Sequence, residues 1–243
     1  MNIIYTYKKI DTSKAGYSAG LGSHVLSIYK QSVESANKFG STTIYCDKES
    51  YNIFKNSDIP FTNIVFLKEI DELDTHHWGL HKLLVMSKQD KPFVHIDLDL
   101  ILLEKPKLYP NYDICFAENE WDFLHKNISI VDEHEIELIW TNYVSNYNRY
   151  HKNNPLFNEI NFIKTPCYSY VEVNNPQVIK KAWQDTLSLS EPCMYINDNS
   201  LNQYLEEWVS YSMIRKYTNK IKHHDNIDWL SHNAQEKFGN YNN

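Results

Sequence analysis

Short apolar runs alternate with amphipathic segments along much of the chain. Residues 2–7 alternate apolar and polar side chains, a pattern typical of a half-buried strand. Apolar residues recur at helical spacing over 23–39, and Gly40 supplies a helix stop. The same criteria predict further strands at 42–46, 64–67, 92–96, 113–117 and 168–173. They predict further helices at 78–88, 130–150, 176–187 and 198–217.

This alternation predicts an α/β fold in which a mostly parallel sheet carries helices on both faces. The chain has 243 residues, of which 42% are hydrophobic, so it can bury a sizeable core. No linker or internal repeat interrupts it, and we expect one domain over residues 1–243. Because ligands of such sheets bind beyond the carboxyl ends of the strands, polar residues that follow a strand are candidates for function.

Two carboxylates, Asp97 and Asp99, follow the most apolar predicted strand and precede another apolar run. Burying an ionised carboxylate is costly without a partner, and two so close together repel each other. A divalent cation held by their oxygens would remove both problems. The alternative is a strand end that turns outward and leaves both groups solvated, since an Asp-x-Asp pair alone is a weak motif.

Composition narrows the choice of partners and location. The formal net charge is −7 and the basic residues form only short runs, so nucleic acid is not an expected partner. The four cysteines lie far apart, which excludes a paired zinc-thiolate motif. No signal-peptide core or membrane-spanning apolar run is present, so we expect a cytoplasmic protein, with the inner face of the membrane as a peripheral location.

Four segments together resemble a known family. Residues 95–99 are similar to the Phe-Val-His-Ile-Asp-x-Asp run of bacterial capsule and lipopolysaccharide sugar transferases. Residues 78–83 resemble the helix that precedes this run, and 197–202 resemble an Asp-Gln-x-x-Leu-Asn helix start. Residues 231–237 resemble a shortened His…Gly…Lys element of the glycogenin-like group. The chain thus resembles a glycosyltransferase of the GT-A fold.

The resemblance implies a Mn²⁺ or Mg²⁺ ion and a nucleoside-diphosphate sugar donor, expected to be UDP-linked. Asp97, Asp99 and His232 would hold the cation, and Asp97 would also contact the ribose or a metal-bound water. Lys82 and Lys237 would add positive charge beside the diphosphate.

The acceptor side follows from the same resemblance. Asp198 would orient the donor sugar or stabilise the cationic sugar at the transition state, although Asp is also a favoured helix cap. The acceptor would be a glycan or a lipid-linked glycan. Glu206 and Glu207 lie further along this helix, and we interpret them as a solvated face, with an acidic pair near the acceptor as the alternative.

Three alternatives stay open. A phosphohydrolase of the haloacid-dehalogenase kind also uses Asp-x-Asp at a strand end, but there Gly-Thr normally follows, near the N-terminus. A non-catalytic carbohydrate-binding protein of the same fold would explain why the Asn-x-Gly turn common in these enzymes is missing. His76, His77 and His81 could bind zinc, but the glutamate of His-Glu-x-x-His is absent, and we interpret them as pocket-rim or surface residues.

Overall fold

The computed structural model describes residues 1–9, 23–73, 77–117, 166–193, 204–224 and 227–232. Its strands are β1 (Asn2–Tyr7), β2 (Ser41–Cys46), β3 (Asn63–Phe66), β4 (Phe93–Ile96), β5 (Leu100–Leu102), β6 (Ile114–Phe116), β7 (Tyr170–Val173), β8 (Ile221–His223) and β9 (Leu230–His232). Its α-helices are α1 (Ser23–Asn37), α2 (Lys48–Asn56), α3 (Lys68–Glu72), α4 (Trp78–Ser87), α5 (Pro176–Ser190) and α6 (Ser210–Tyr217). A π-helical segment, Tyr204–Val209, leads directly into α6.

The main sheet has seven strands in the order β3-β2-β1-β4-β7-β6-β8. The neighbours from β3 to β4 are parallel, as are β6 and β8, whereas β7 is antiparallel to both β4 and β6. This mixed α/β architecture with a mostly parallel sheet confirms the predicted fold class.

The strand order reverses direction between β1 and β4. The chain builds outward from β1 through β2 to β3 and then returns to place β4 on the opposite side of β1. Such a switch point leaves a crevice beyond the carboxyl ends of the two strands, where ligands of open α/β sheets bind. The residues that follow β1 and β4 are Lys8 and Asp97.

Alternate residues of β1 face two separate apolar layers. Ile3 and Tyr5 belong to the layer that includes apolar residues of α1 and α2. Ile4 belongs to the opposite layer, which includes residues of α4, α5, α6 and the π-helical segment. Both faces of the sheet are therefore covered by helices, as the sequence predicts.

A second, smaller sheet consists of β5 and β9. Strand β5 pairs with β9 in antiparallel register, with Leu100 opposite His232 and Leu102 opposite Leu230. The hydroxyl of Ser35 in α1 accepts a hydrogen bond from the Leu102 N–H at 2.9 Å. Strand β9 and helix α1 thus both contact β5.

Most predicted elements are present with shifts of one to three residues at their ends. The pattern did not predict α2, α3, β5, β8 or β9, which are short and depend on contacts distant in sequence. The predicted helix at 130–150 and the start of the predicted helix at 198–217 lie outside the described residues. Over the described part of the chain, every helix is too short or too polar to cross a lipid bilayer.

Candidate functional site

Asp97 and Asp99 lie in a tight turn that joins β4 to β5. The Asp97 N–H donates to the Ser169 carbonyl at 2.8 Å, and the Leu100 N–H donates to the Asp97 carbonyl at 3.1 Å, which closes the turn. The Asp97 side chain is 28% exposed, whereas Asp99 is 8% exposed. The turn therefore brings two carboxylates to the switch-point edge of the sheet, with one of them open to solvent.

Lys82 of α4 is the counter-charge that the structure gives to Asp97. Its Nζ lies 3.0 Å from Asp97 Oδ1 and 3.2 Å from Oδ2, and 3.5 Å from the Tyr168 carbonyl oxygen. Burial disfavours the charged amine, but the carboxylates of Asp97 and Glu206 outweigh that effect and raise the pKa of Lys82 above its ordinary value. The protonated Lys82 therefore offsets part of the repulsion between Asp97 and Asp99. From the sequence alone, a bound cation was expected to offset all of it.

Glu206 completes a buried charge cluster that the sequence did not predict. Its Oε1 lies 2.6 Å from Lys82 Nζ, and its side chain is 2% exposed. Burial raises the pKa of Glu206 to about 7, an effect that Lys82 opposes and Asp97 reinforces. The interpretation of Glu206 as part of a solvated helix face is wrong, because this side chain points into the protein and pairs with Lys82.

The π-helical segment explains why the pattern misplaced Glu206. Regular α-helical spacing puts Leu205 and Trp208 on one face and Glu206 beside it. A π-helix turns through more residues per turn, so it changes which side chains face inward. Leu205, Glu206 and Trp208 are all buried in the structure. The sequence signal that could have found Glu206 is its place between the apolar residues Leu205 and Trp208, which are both buried.

Gly79 allows α4 to approach the segment that carries Glu206. A Cβ added at Gly79 would lie 2.7 Å from Glu206 Cβ and 2.8 Å from Oε2, which is closer than side-chain contacts allow. The glycine, which weakens α4 as an isolated helix, is therefore required by this close approach.

The segment before β7 lies against the turn. Ser169 and Tyr168 supply the carbonyl oxygens that face the Asp97 N–H and Lys82 Nζ. These two carbonyl oxygens tie the segment before β7 to the β4–β5 turn and to α4.

Tyr29 of α1 is a further neighbour that sequence reasoning missed. Burial, followed by the negative charges of Asp99 and Asp97, raises the pKa of its phenol above the ordinary value. The hydroxyl therefore stays protonated beside the turn. No motif marks this residue, because it is one of 18 tyrosines in the chain and stands among apolar residues of α1.

Two of the three histidines, His77 and His81, are not surface residues. His77 and His81 are buried, which corrects their interpretation as pocket-rim or surface side chains, while His76 lies outside the described residues. The His81 ring Nε2 lies 3.2 Å from the Leu73 carbonyl oxygen. Burial and the charge of Lys8 lower the pKa of His81 to about 3, so this ring is neutral.

The other predicted site residues are located only in part. The backbone of His232 in β9 lies opposite Leu100, the residue that follows Asp99. Pairing of β5 with β9 therefore brings the backbone of His232 next to the acidic turn. His232 and Asp99 are 133 positions apart in the sequence. Asp198 and Lys237, together with the side chain of His232, lie outside the described residues.

The acidic turn offers carboxylate oxygens to a divalent cation. Over the described ranges, no group of three or more His, Cys, Asp or Glu side chains is placed to hold a metal. Mg²⁺ and similar ions, however, are commonly held by one or two carboxylates together with substrate phosphates and water. Asp97 and Asp99 supply oxygen donors of that kind, so the residues fit a cation that binds together with a phosphorylated ligand.

A cavity of about 460 Å³ opens at the same edge of the sheet, beyond β1 and β2. It is lined by Lys8, Lys9, Asp47, Lys48, Glu49, Asn52 and Asp71. Asp97 and Asp99 do not line it, so it is not the predicted metal site. Its lysines are partly engaged: Lys8 Nζ donates to the carbonyls of Ile70 and Leu73, each at 3.0 Å.

Comparisons with known proteins gave three results. A model described as "Family of unknown function (DUF6734)" matches residues 1–243. No curated protein matches the sequence. Similar solved structures include the PaToxG glycosyltransferase, with a TM-score of 0.48 and 14% identity over 89% of this chain and 67% of that one.

Two further structures are similar to a comparable degree. Mouse xyloside xylosyltransferase 1 has a TM-score of 0.44 and 9% identity over 92% of this chain and 84% of that one. The glycosyltransferase GlyE of Streptococcus pneumoniae TIGR4 has a TM-score of 0.43 and 7% identity over 92% of this chain and 45% of that one. At these values the similarity identifies neither a substrate nor a catalytic residue in this chain.

Proposed function

The chain belongs to the DUF6734 family, a family of unknown function, and from its own residues we propose that it is a metal-dependent glycosyltransferase. It would transfer a sugar from a nucleoside-diphosphate sugar, UDP-linked in our proposal, to a glycan or lipid-linked acceptor. The observation that carries this proposal is the Asp97–Asp99 turn at the switch point between β1 and β4. We further propose that residues 1–243 form one domain and act in the cytoplasm, including the inner membrane face.

The proposed cation ligands are two carboxylates and one histidine. Asp99 would hold Mn²⁺ or Mg²⁺, with His232 as a further ligand. Asp97 would contact the ribose or share the cation. When bound, the cation would supply a Lewis acid that stabilises negative charge on the departing diphosphate.

Positive charge and donor orientation come from three further positions. Lys82 lies beside Asp97 in a buried setting and would hold positive charge near the diphosphate. Lys237 would add a second cation from the C-terminal segment. Asp198 would orient the donor sugar or stabilise the developing positive charge on its anomeric carbon.

Replacement of Asp99 by Asn tests the metal role. We expect Mn²⁺-dependent hydrolysis of UDP-sugars to fall by about 100-fold or more, because one charged ligand is lost with little change of shape. The exposed Asp58, paired with Lys30 on the surface, provides the matched control: D58N should keep wild-type turnover. Hydrolysis would be followed as UDP release for a panel of UDP-sugars.

The same assay separates the alternatives. Unchanged turnover of D99N would remove the proposed metal role of Asp99. Phosphate release from a generic phosphate ester without UDP-sugar turnover would favour the phosphohydrolase. UDP binding by the wild-type protein with neither transfer nor hydrolysis would favour a non-catalytic carbohydrate-binding protein.

A further inference from the structure

The Lys82 ammonium is shared unequally between two carboxylates. It lies 2.6 Å from Glu206 Oε1 but 3.0 and 3.2 Å from the two oxygens of Asp97. The closest negative charge to Lys82 therefore comes from the π-helical segment and not from the acidic turn.

The negative charge of Glu206 is not needed to neutralise Lys82, so a purely structural role does not explain it. Lys82 and Asp97 already form a neutral pair, so Glu206 adds a net negative charge in a position that is 2% exposed. Apart from the Lys82 ammonium, neither carboxylate oxygen of Glu206 has a hydrogen-bond donor among the residues that the structure describes. Burying such a charge is costly, and an apolar residue would fill the space at lower cost.

We propose that Glu206 is a positioning residue for Lys82: it draws the ammonium away from Asp97 and thereby keeps the Asp97–Asp99 turn attractive to a divalent cation. The inference rests on the proposed function, because that function makes the turn the cation site. It adds a residue to the site that no motif in the sequence assigns.

The electrostatic reason is the net charge beside the turn. With Glu206 ionised, the group of Asp97, Lys82 and Glu206 carries one net negative charge, which adds to that of Asp99. Without Glu206, Lys82 would neutralise Asp97 fully, and a cation would have to compete with the ammonium for the same oxygens. Such interactions are strong in a buried setting, where the effective dielectric constant is well below that of water.

The test compares Mn²⁺ affinity in three variants, measured as free Mn²⁺ by electron paramagnetic resonance above neutral pH. E206Q keeps the shape of the side chain and should bind Mn²⁺ roughly tenfold more weakly than wild type. K82M/E206Q removes the ammonium and its partner together, so its Mn²⁺ affinity should return to the wild-type value. D99N is the reference for loss of the site itself.

Mn²⁺ is used first without a nucleotide, so that a lost contact between Lys82 and a diphosphate does not enter the comparison; the series is then repeated with UDP. Thermal unfolding without metal checks that each variant is folded. If E206Q does not fold, the double variant still decides, because a roughly tenfold weaker Mn²⁺ affinity of K82M/E206Q in the series without UDP would overturn the charge argument.

The outcomes separate this inference from the proposed function. If wild-type protein binds Mn²⁺ and D99N does not, the proposed site stands. In that case, equal Mn²⁺ affinity of E206Q and wild type would overturn the role of Glu206 alone. If wild-type protein binds no Mn²⁺ with or without UDP, both the proposed function and this inference are wrong.

Discussion

His95, in the middle of β4, is a polar ring held in an apolar layer of the sheet. It is 1% exposed, and neither ring nitrogen has a hydrogen-bond partner in the described ranges. Burial, followed by the positive charge of Lys82, lowers the pKa of His95 well below its usual value. The folded protein therefore keeps this ring neutral, while the unfolded chain protonates it at an ordinary pKa.

The sign of the pH effect follows from proton counts. Below the pKa of an unfolded histidine, about 6.5, the unfolded chain binds a proton that the folded state does not. Stability contributed by His95 is thus constant above that pH and falls as pH decreases, by up to about 1.4 kcal/mol per pH unit. The buried His81 acts in the same direction, because its pKa is lowered to about 3.

We expect H95L to raise the free energy of unfolding at neutral pH by about 1–2 kcal/mol, because an unsatisfied polar ring is replaced by an apolar side chain. The same change should reduce the slope of stability against pH below about pH 6.5, and His81 would account for part of what remains. Urea unfolding at several pH values measures both effects. The exposed His24 serves as control, and H24L should change neither quantity. If H95L is less stable than wild type at neutral pH, the buried His95 ring does not destabilise the folded protein and this prediction is wrong.

At the scale of elements, the contact between α4 and the π-helical segment organises the buried charges. Gly79 and Lys82 stand on α4, and Glu206 comes from the segment that precedes α6. The close approach at Gly79 sets the separation of the two backbones, and this separation lets Lys82 reach Glu206. A substitution at Gly79 thus changes both packing and the charge cluster.

G79A tests this contact. Alanine favours an isolated helix by about 1 kcal/mol over glycine, but its Cβ would overlap Glu206, and such overpacking costs about 1–3 kcal/mol. We expect a net loss of about 1 kcal/mol or more in the free energy of unfolding. S27A, at an exposed position inside α1, has no such neighbour and should be neutral or slightly stabilising. If denaturant unfolding shows that G79A is more stable than wild type, the π-helical segment can move to accept the added Cβ without loss of stability.

At the scale of the whole molecule, β9 packs beside the acidic turn. The Trp229 carbonyl accepts a hydrogen bond from the Leu103 N–H at 2.8 Å, and its ring packs at 4.9 Å from that of Tyr170. These contacts hold β9 against β5, next to the Asp97–Asp99 turn. Because the partners are far apart in sequence, only the complete sheet can bring them together.

W229A should lower the free energy of unfolding by about 2 kcal/mol, since a half-buried indole is lost. It should also weaken Mn²⁺ binding in the presence of UDP, because β9 would no longer be held beside the turn. Trp183, half-buried against the opposite apolar layer, is the matched control. W183A should cost similar stability yet keep the wild-type Mn²⁺ affinity. Equal effects of both variants on binding would show that β9 has no special place in the site.

The sequence by itself determined the elements whose residues carry their own pattern. The alternation in β1, the helical spacing over 23–39 and the apolar strand before Asp97 were sufficient to predict the α/β class. The acidic pair could be selected because it follows an apolar strand, where a parallel sheet places ligands. Periodicity is a local property, so these features can be deduced without knowing which elements meet.

Only the tertiary structure decided which charges offset those of the acidic turn and which strand packs beside it. Lys82, Glu206 and β9 reach Asp97 and its neighbours from separate parts of the chain, and the π-helical segment changes which side of its helix is buried. Charge pairing and strand pairing depend on distances in space, whereas the pattern of one chain records only distances along it. For that reason a glutamate that the sequence assigned to solvent became the closest partner of a buried lysine.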